Sequence, residues 1–398
     1  MKANGAQADA SQALAFTAPP ATSPGTEALR KEVREFLACE LRGRDPSLGA
    51  RSWSGDDPSF SRKMGARGWI GMTWPKRYGG HERSALERYV VLEEMLAAGA
   101  PVGHHWIADR QSGPNILRNG TEEQRLTILP RIAAGECSFC IGMSEPDSGS
   151  DLAAARTKAR QVNGGWLVNG TKVWTSGAHR ADYMILFCRT GAISEHDRHA
   201  GASQFLVDMR EARRNGLTVR PIIDLRGAHH FNEVILQDLL LPPDALLGKE
   251  GDGWKQVTAE LALERSGPDR FLSSFTLLVE AVRALGPDAP ERAAVAIGRL
   301  TSHILALRRL SRSVAGMLQA GEDPALQAAL VKDLGNVLEQ ETVEALRLLF
   351  DLEPSEQPGN PPLVAMLGHL ILTAPSFSLR GGTREILRGM IARGLGLR

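Results

Sequence analysis

The chain has 398 residues, of which 42% are hydrophobic and 23% charged, a composition typical of a globular protein with two or three domains and a large core. Lysine and arginine number 47 against 46 aspartates and glutamates, so the net charge is +1. Because this balance provides no basic excess for nucleic acid or an anionic membrane, we expect binding to neither.

Residues 1–26 are rich in Ala, Pro, Ser and Gly and lack the continuous apolar stretch of a signal peptide. We therefore predict a flexible tail over 1–26. No window approaches the roughly 20 apolar residues of a membrane span. With only four cysteines and no export signal, the sequence favours a cytoplasmic location.

Residues 27–135 carry apolar side chains at three- and four-residue spacing, which predicts an N-terminal helical domain. Thr121 followed by two glutamates is a favourable start for the last of these helices. Between the helices, the stretch GWIGMTWPKRYGG is rich in Gly and Trp and is predicted to form a loop.

Residues 136–248 consist of short β-type runs, with turn signals at Asn163-Gly164 and Asn169-Gly170 that are typical of hairpins. We predict a β-domain of barrel-like or sandwich form. Cys137 and Cys140 have the spacing of a metal or redox pair, but no second pair follows, and they lie in an apolar run. Packing is therefore favoured over chemistry for these two cysteines.

Residues 249–398 return to long amphipathic helices, typical of a four-helix bundle. The order α, β, α predicts an α+β multi-domain protein. Near the end, SLRGGTREILRG places Gly381 and Gly382 before Thr383, which predicts a turn that enters a helix capped by Thr383. Such a turn can offer unpaired N–H groups to an anion or a polarised carbonyl, although the turn taken alone favours a plain loop-to-helix junction, because capped turns are common.

Two stretches of the β-domain carry a more specific signal. MSEPDSGSDLAAARTKA, which begins at Met143, is rich in hydroxyl and N–H groups that can bind a polar cofactor, and NGTKVWTSGAHRADYMIL places Trp174 beside Thr175 and Ser176. Together with the α–β–α order and GGTREIL, these stretches resemble the acyl-CoA dehydrogenase family. The resemblance implies that family's fold, FAD as cofactor and an acyl-CoA substrate. It also implies electron transfer to an electron-transfer flavoprotein and assembly into a homo- or hetero-oligomer, as a dimer or tetramer.

The resemblance also implies the site residues, one by one. The implied FAD contacts are Ile141, Met143, Ser144, Gly149, Ser150, Trp174, Thr175, Ser176, Thr383 and Glu385. The implied acyl-CoA contacts are Ser150, Arg265, Gly381 and Gly382. No metal site is expected, because His104-His105 and His229-His230 lack accompanying ligands at metal-binding spacing.

The catalytic base needs a separate argument. In the most familiar branch of the family the catalytic Glu aligns with Gly381, which cannot act as a base. A second branch carries the base in a Glu-Arg pair on a helix, and here ELALERSGPDR supplies Glu264 and Arg265. Helical spacing places Glu264 on the apolar face of Val257 and Leu261, where desolvation would raise its pKa toward the range of a base. A partly buried ion pair with an arginine is the alternative.

Two segments of the family pattern are missing from this chain. ALGPDAPERAAVAIG stands where an Arg-x-x-Phe-Gly segment is expected, and DLEPSEQPGNPP replaces a Phe-Gly-Gly-x-Gly turn. In many members the first of these reaches from a neighbouring subunit to FAD. Two further interpretations therefore stay open: a flavin oxidase or monooxygenase on the same fold, and a subunit of a hetero-oligomeric dehydrogenase that is inactive alone.

Overall fold

The computed structural model describes residues 14–192, 197–264 and 267–397, and for residues 260–264 the backbone alone. Within these ranges the helices, labelled in chain order, are α1 Pro24–Glu40, α2 Pro58–Ala66, α3 Ala85–Ala97, α4 Gly103–Ile107, α5 Gly113–Asn119, α6 Glu122–Ala133, α7 Met209–Ala212, α8 Gly253–Glu264, α9 Phe275–Leu285, α10 Glu291–Gln319, α11 Ala325–Arg347, α12 Pro362–Thr373 and α13 Arg384–Gly394. The strands are β1 Phe139–Gly142, β2 Lys158–Val162, β3 Gly165–Lys172, β4 Tyr183–Arg189, β5 Ala202–Asp208, β6 Leu217–Ile223, β7 His229–Leu241 and β8 Leu246–Leu247.

The observed fold confirms the predicted α+β class, with helical segments on either side of a β-rich segment. Several elements were not individually predicted, among them β2, β8, α7 and α12. β2 was missed because its exposed Lys, Arg and Gln side chains mask the strand alternation, and α12 was missed because it follows a proline-rich stretch. Among the described helices, none is both long and apolar enough to cross a bilayer.

The eight strands form one sheet in the order β6-β7-β3-β2-β4-β5-β8, with β1 parallel to β4. Most neighbours are antiparallel, as hairpin connections require. Strand β4 is buried along almost its whole length, and edge-to-face packing of Trp166 on Phe205, at 5.2 Å between ring centroids, lies in the same core. The sheet core therefore forms around the apolar runs identified in the sequence.

Only one of the two predicted hairpin turns exists. Asn163-Gly164 connects β2 to β3, because Val162 pairs with Gly165 across the turn. The prediction for Asn169-Gly170 is wrong: both residues lie inside β3, at an irregularity where the register with β7 shifts. The Asn169 side chain there bonds the N–H and the carboxylate of Asp238, at 2.8 and 3.0 Å, so the pair serves a bulge instead of a turn.

The chain divides into two compact units. One combines Met1–Gly55, Ser84–Pro101 and Glu264–Arg398 and is helical in its described part; the other combines Asp56–Arg83 and Val102–Leu263 and contains the sheet. The N-terminal helices are thus shared between the two units. The sequence division at 27–135, 136–248 and 249–398 stays a prediction.

The end of the predicted tail is ordered on the helical unit. Ser23 caps α1 by accepting a bond from the Thr26 N–H at 3.2 Å, and the helix therefore begins at Pro24, before the predicted boundary. Upstream, the side chain of Ser313 donates to the Thr17 carbonyl at 2.6 Å, and Gln327 donates to the Ala15 carbonyl at 2.9 Å. The tail prediction for residues 1–13 lies outside the described residues.

A buried charge network joins three helices of the helical unit. On α1, Arg30 donates to Glu93 at 2.9 Å and also to Glu94, both on α3, while Arg34 donates to Glu94 at 2.7 Å. From α10, Arg308 donates to Glu93 at 2.6 Å. Burial by itself would raise the pKa of Glu93, but the bonds and charges of Arg308 and Arg30 outweigh burial and lower it. The Glu93 carboxylate is therefore held ionised among arginines.

We expect Arg30→Met to lower the free energy of unfolding by about 1.5–3 kcal/mol, because it removes the arginine that binds both buried carboxylates and leaves each of them with a single arginine. Urea unfolding measures the loss. The control is Lys31→Met, whose side chain is 81% exposed in a loose pair with Glu35 and should change stability by less than about 0.5 kcal/mol. Equal stability of the two variants would contradict the importance of this network.

Candidate functional site

A buried ion pair holds the loop that follows β1. Lys172, at the end of β3, has no exposed surface and donates to the Glu145 carboxylate at 2.8 Å and to the Met143 carbonyl at 3.1 Å. Glu145 also accepts the N–H groups of Arg156 and Thr157, at 2.6 and 2.9 Å. Burial lowers the pKa of Lys172. Burial by itself would raise the pKa of Glu145, but the charge of Lys172 and the hydrogen bonds from Lys172, Arg156 and Thr157 together outweigh burial and lower that pKa. The pair therefore fixes the backbone at Met143.

A second segment lies directly beside this loop. The N–H of Val173 donates to the Ser144 carbonyl at 2.9 Å, which joins the two stretches singled out in the sequence. The next residue, Trp174, has a left-handed backbone (φ 58°), costly for a bulky side chain, and its ring is 60% exposed and edge-on to Phe231. The strained backbone at Trp174 thus exposes the indole ring to solvent at an energetic cost. Such strain is typical of functional sites.

Asn232 on β7 fixes the segment after Trp174. The N–H of Thr175 donates to the Asn232 carbonyl at 3.0 Å, and the Asn232 amide donates back to the Thr175 carbonyl at 2.8 Å. The Thr175 hydroxyl is buried, and in the described part of the chain it has no hydrogen-bond partner. Because an unpartnered buried hydroxyl is costly, this atom fits a bound polar group such as the flavin ring implied by the resemblance.

The remaining implied FAD contacts of the sheet unit are placed less closely together. Ile141 lies on β1 and is half-buried, as is Ser176, which directly follows Thr175. Gly149 and Ser150 are exposed in the loop after β1, and a side chain at Gly149 would meet no atom within 4 Å. The fold therefore brings together Met143, Ser144, Trp174 and Thr175, with Gly149 and Ser150 on an open rim.

The helical unit carries the Gly-Gly-Thr turn. Gly381 and Gly382 have φ of 64° and 98°, and Thr383 caps α13 by accepting a bond from the Ile386 N–H at 3.5 Å, as predicted. Glu385 is exposed in the first turn of α13. This helix start is fixed from α11, where Asp333 accepts a bond from Arg384 at 2.9 Å.

A residue that the sequence analysis missed also binds this turn. Lys332 on α11 has no exposed surface and donates to the carbonyls of Arg380, Gly381 and Gly382, at 2.5, 2.5 and 3.1 Å. Its signal in the sequence is a charged residue on the apolar face of a long helix, next to Val331. Periodicity alone does not tell which segment such a lysine contacts.

The predicted base lies at the end of α8. Val257 is buried in a cluster that includes Phe187, and the partly buried Trp254 and Met143 pack against this cluster, which confirms the predicted apolar face for Val257. The helix ends at Glu264, and Pro268 begins a short 3-10 turn beyond it. The side chains of Leu261 and Glu264 and the whole of Arg265 lie outside the described residues, so their roles stay predictions.

The histidines contact protein groups. His105 is buried and bonds the Ser61 hydroxyl at 2.8 Å, with its pKa lowered to about 4 by burial, whereas His104 bonds Asp56 at 3.1 Å. His229 stacks on His179 and bonds the Asn232 side chain at 2.7 Å. No group of three or more potential ligands is arranged to hold a metal ion among the residues that were described.

Cys137 and Cys140 behave as packing residues. Both side chains are fully buried at the start of the sheet core, and burial raises the pKa of each thiol to about 12. A thiol with such a pKa stays protonated at neutral pH and is a poor nucleophile or metal ligand. The prediction of packing for these two cysteines agrees with this environment.

Comparison with known proteins identifies the family. Family models of the acyl-CoA dehydrogenase N-terminal and middle domains match residues 23–136 and 140–239. Acyl-CoA dehydrogenase FadE26 of Mycobacterium tuberculosis is 31% identical over 94% of this chain and 98% of its own. The chain therefore belongs to the acyl-CoA dehydrogenase family of flavin-dependent oxidoreductases. Matches to two other curated relatives span 65% and 63% of their lengths, just under two thirds.

Two solved structures have the same fold. The Tcur3481-Tcur3483 steroid ACAD superposes with a TM-score of 0.83 at 28% identity, covering 95% of this chain and 98% of that one. The ChsE4-ChsE5 complex from Mycobacterium tuberculosis gives a TM-score of 0.81 at 29% identity and covers 95% of this chain and 99% of that one. These similarities extend the family assignment to the C-terminal helices.

We expect Lys172→Met to destabilise the protein by about 3–5 kcal/mol, because Glu145 would remain buried without its cation. Urea unfolding measures this loss, with Lys158→Met on the exposed face of β2 as the control, expected within about 0.5 kcal/mol of the parent. Adding Glu145→Gln to Lys172→Met should recover part of the loss, because the uncompensated charge is removed. A single variant as stable as its control would show that the pair does not hold this loop.

Proposed function

We propose that this chain catalyses FAD-dependent α,β-dehydrogenation of an acyl-CoA thioester. The observation that carries the proposal is the outward-held Trp174 ring beside the buried, unpartnered Thr175 hydroxyl, in a chain whose family is flavin-dependent. The residues present fit FAD: Met143, Ser144 and Thr175 would offer polar and backbone groups, and Trp174 a ring face. The other proposed FAD contacts are Ile141, Gly149, Ser150, Ser176, Thr383 and Glu385.

The proposed reaction removes two hydrogens from adjacent carbons of the acyl chain. The Glu264 carboxylate takes the α-proton, and the negative charge that develops on the thioester oxygen is stabilised by the N–H groups of Gly381 and Gly382. Bound FAD would supply the acceptor for the β-hydrogen, which leaves as hydride. Arg265 and Ser150 complete the proposed acyl-CoA contacts, and the electrons pass to an electron-transfer flavoprotein.

A second candidate is a subunit of a hetero-oligomeric dehydrogenase that is inactive alone. The stretch DLEPSEQPGNPP, which replaces the family's Phe-Gly-Gly-x-Gly turn, is held by contacts of Glu356. This carboxylate accepts a hydrogen bond from Arg51 at 2.7 Å and lies 3.3 Å from the His369 ring nitrogen. Apolar side chains of α10 are exposed, with Val295 at 66% and Leu305 at 59%. A solved relative of similar fold is a ChsE4-ChsE5 complex. These observations favour a partner chain, homologous or identical.

We expect Glu264→Gln to slow substrate-dependent bleaching of the flavin by at least about 100-fold, because general-base catalysis typically contributes 10²–10⁴-fold. The measurement is stopped-flow absorbance under anaerobic conditions, with a panel of straight-chain, branched and steroid acyl-CoAs. Glu250→Gln, at an exposed position before α8, is the control and should bleach like the parent.

Equal rates of bleaching for Glu264→Gln and the parent with the best substrate would show that the base lies elsewhere. The same experiment distinguishes the flavin oxidase and monooxygenase alternatives. After bleaching, admission of air should leave the flavin of a dehydrogenase reduced for a long time, whereas rapid reoxidation would assign the chain to an oxygen-using enzyme.

If the chain forms homo-oligomers, we expect the purified protein to carry flavin and to be active without a second protein. Flavin absorbance per chain and mass by light scattering measure this directly. A colourless chain that becomes yellow and active only when co-expressed with a second acyl-CoA dehydrogenase chain would instead assign it to a hetero-oligomer. In either case, the active species should have a mass larger than that of one chain.

A further inference from the structure

Lys332 makes an uncommon set of contacts for a lysine. Its ammonium donates to three successive backbone carbonyls, those of residues 380, 381 and 382, and its side chain is fully buried on α11. An ammonium has three donors, and all three can be used here. A buried charge is tolerated only when it is compensated in this way, so the lysine and the turn fix each other.

The contact sets the direction of the neighbouring N–H groups. In a trans peptide the C=O of one residue and the N–H of the next point in opposite directions, and no cis peptide bond occurs in the described residues. Three carbonyls that converge on Lys332 therefore turn the N–H groups of Gly381, Gly382 and Thr383 away from it and in diverging directions, so each N–H can serve a different acceptor. Within the described part of the chain, none of these three N–H groups has a recorded backbone acceptor.

The start of the turn is fixed as well. The Arg380 side chain donates to the Ser273 hydroxyl at 2.8 Å and to Glu339 at 3.3 Å, and its guanidinium lies over the rings of Trp53 and Phe377 at 4.4 and 4.5 Å. Because the side chain of Arg380 is immobilised, the carbonyl that it presents to Lys332 has little freedom. The turn is thus pre-organised before any ligand binds.

We infer that Lys332 is a positioning residue for the N–H group of Gly381, which it directs toward the thioester carbonyl oxygen of the acyl-CoA. The inference rests on the proposed function. Lys332 touches no reacting atom and acts through the turn.

The test separates enolate stabilisation from turnover. The probe is an acyl-CoA analogue with sulfur in place of the β-carbon, which can lose its α-proton but has no β-hydrogen to give as hydride. Its enolate is detected by long-wavelength charge-transfer absorbance against the oxidised flavin, and titration with pH gives the pKa of the bound α-proton. For Lys332→Met we expect this pKa to rise by about 1–2 units, a 10- to 100-fold loss of enolate stabilisation.

The control is Leu334→Ala, because Leu334 lies two residues further along α11 with a side chain that is 42% exposed. It should leave the pKa of the bound analogue unchanged. Lys332→Gln, which keeps amide donors, provides the second test where the methionine variant does not fold, with an expected rise of about one unit. In both lysine variants kcat should fall with KM little changed, because the site binds the transition state more strongly than the substrate.

Folded Lys332 variants with the parent's analogue pKa would overturn the inference and leave the proposed function intact. A parent protein that binds flavin but gives no charge-transfer band with any analogue would overturn both. The two failures are therefore distinguished by the parent alone.

Discussion

The requirement that a buried ammonium be surrounded by acceptors organises both candidate loops of this protein. Lys172 and Lys332 have no exposed surface, and each binds the backbone of a loop to which the acyl-CoA dehydrogenase resemblance assigns ligand contacts. The cost of desolvating such a charge is several kcal/mol unless its partners are well placed. Alternative loop conformations that remove those partners are therefore strongly disfavoured. The electrostatic cost of an unpartnered ammonium thus keeps both loops rigid.

The two lysines differ in what compensates them, and the difference suits the two proposed tasks. Lys172 meets the Glu145 carboxylate, so the pair is nearly neutral beside the proposed flavin segment. At the turn, Lys332 donates to the carbonyls of residues 380–382. Bonds to a carboxylate hold a loop through a side chain, whereas bonds to carbonyls also fix the direction of the N–H groups that follow them, which suits a turn proposed to stabilise a developing anion.

The sequence predicted the elements better than it predicted these contacts. Helical and alternating periodicity identified most helices and strands, and local capping residues such as Thr383 were confirmed. The hairpin turn predicted at Asn169-Gly170 was wrong because strand pairing outweighed the local turn preference. Asn169 bonds Asp238 on β7, and the two residues form a bulge. Lys332 lies about fifty residues from the turn that it binds, and no local pattern encodes such a distance. Motif resemblance identified the loops, but not what holds them.

The backbone at Gly381 bears on where the catalytic base lies. With φ of 64°, this residue occupies the left-handed region, which costs a residue with a side chain about 1–2 kcal/mol more than glycine. The backbone conformation in which Lys332 binds three carbonyls thus favours glycine and disfavours glutamate at position 381. A chain that forms the turn in this way gains a fixed set of N–H donors and gives up a carboxylate there. For the proposed dehydrogenation the base would come from another segment, and Glu264 at the end of α8 is the proposed candidate.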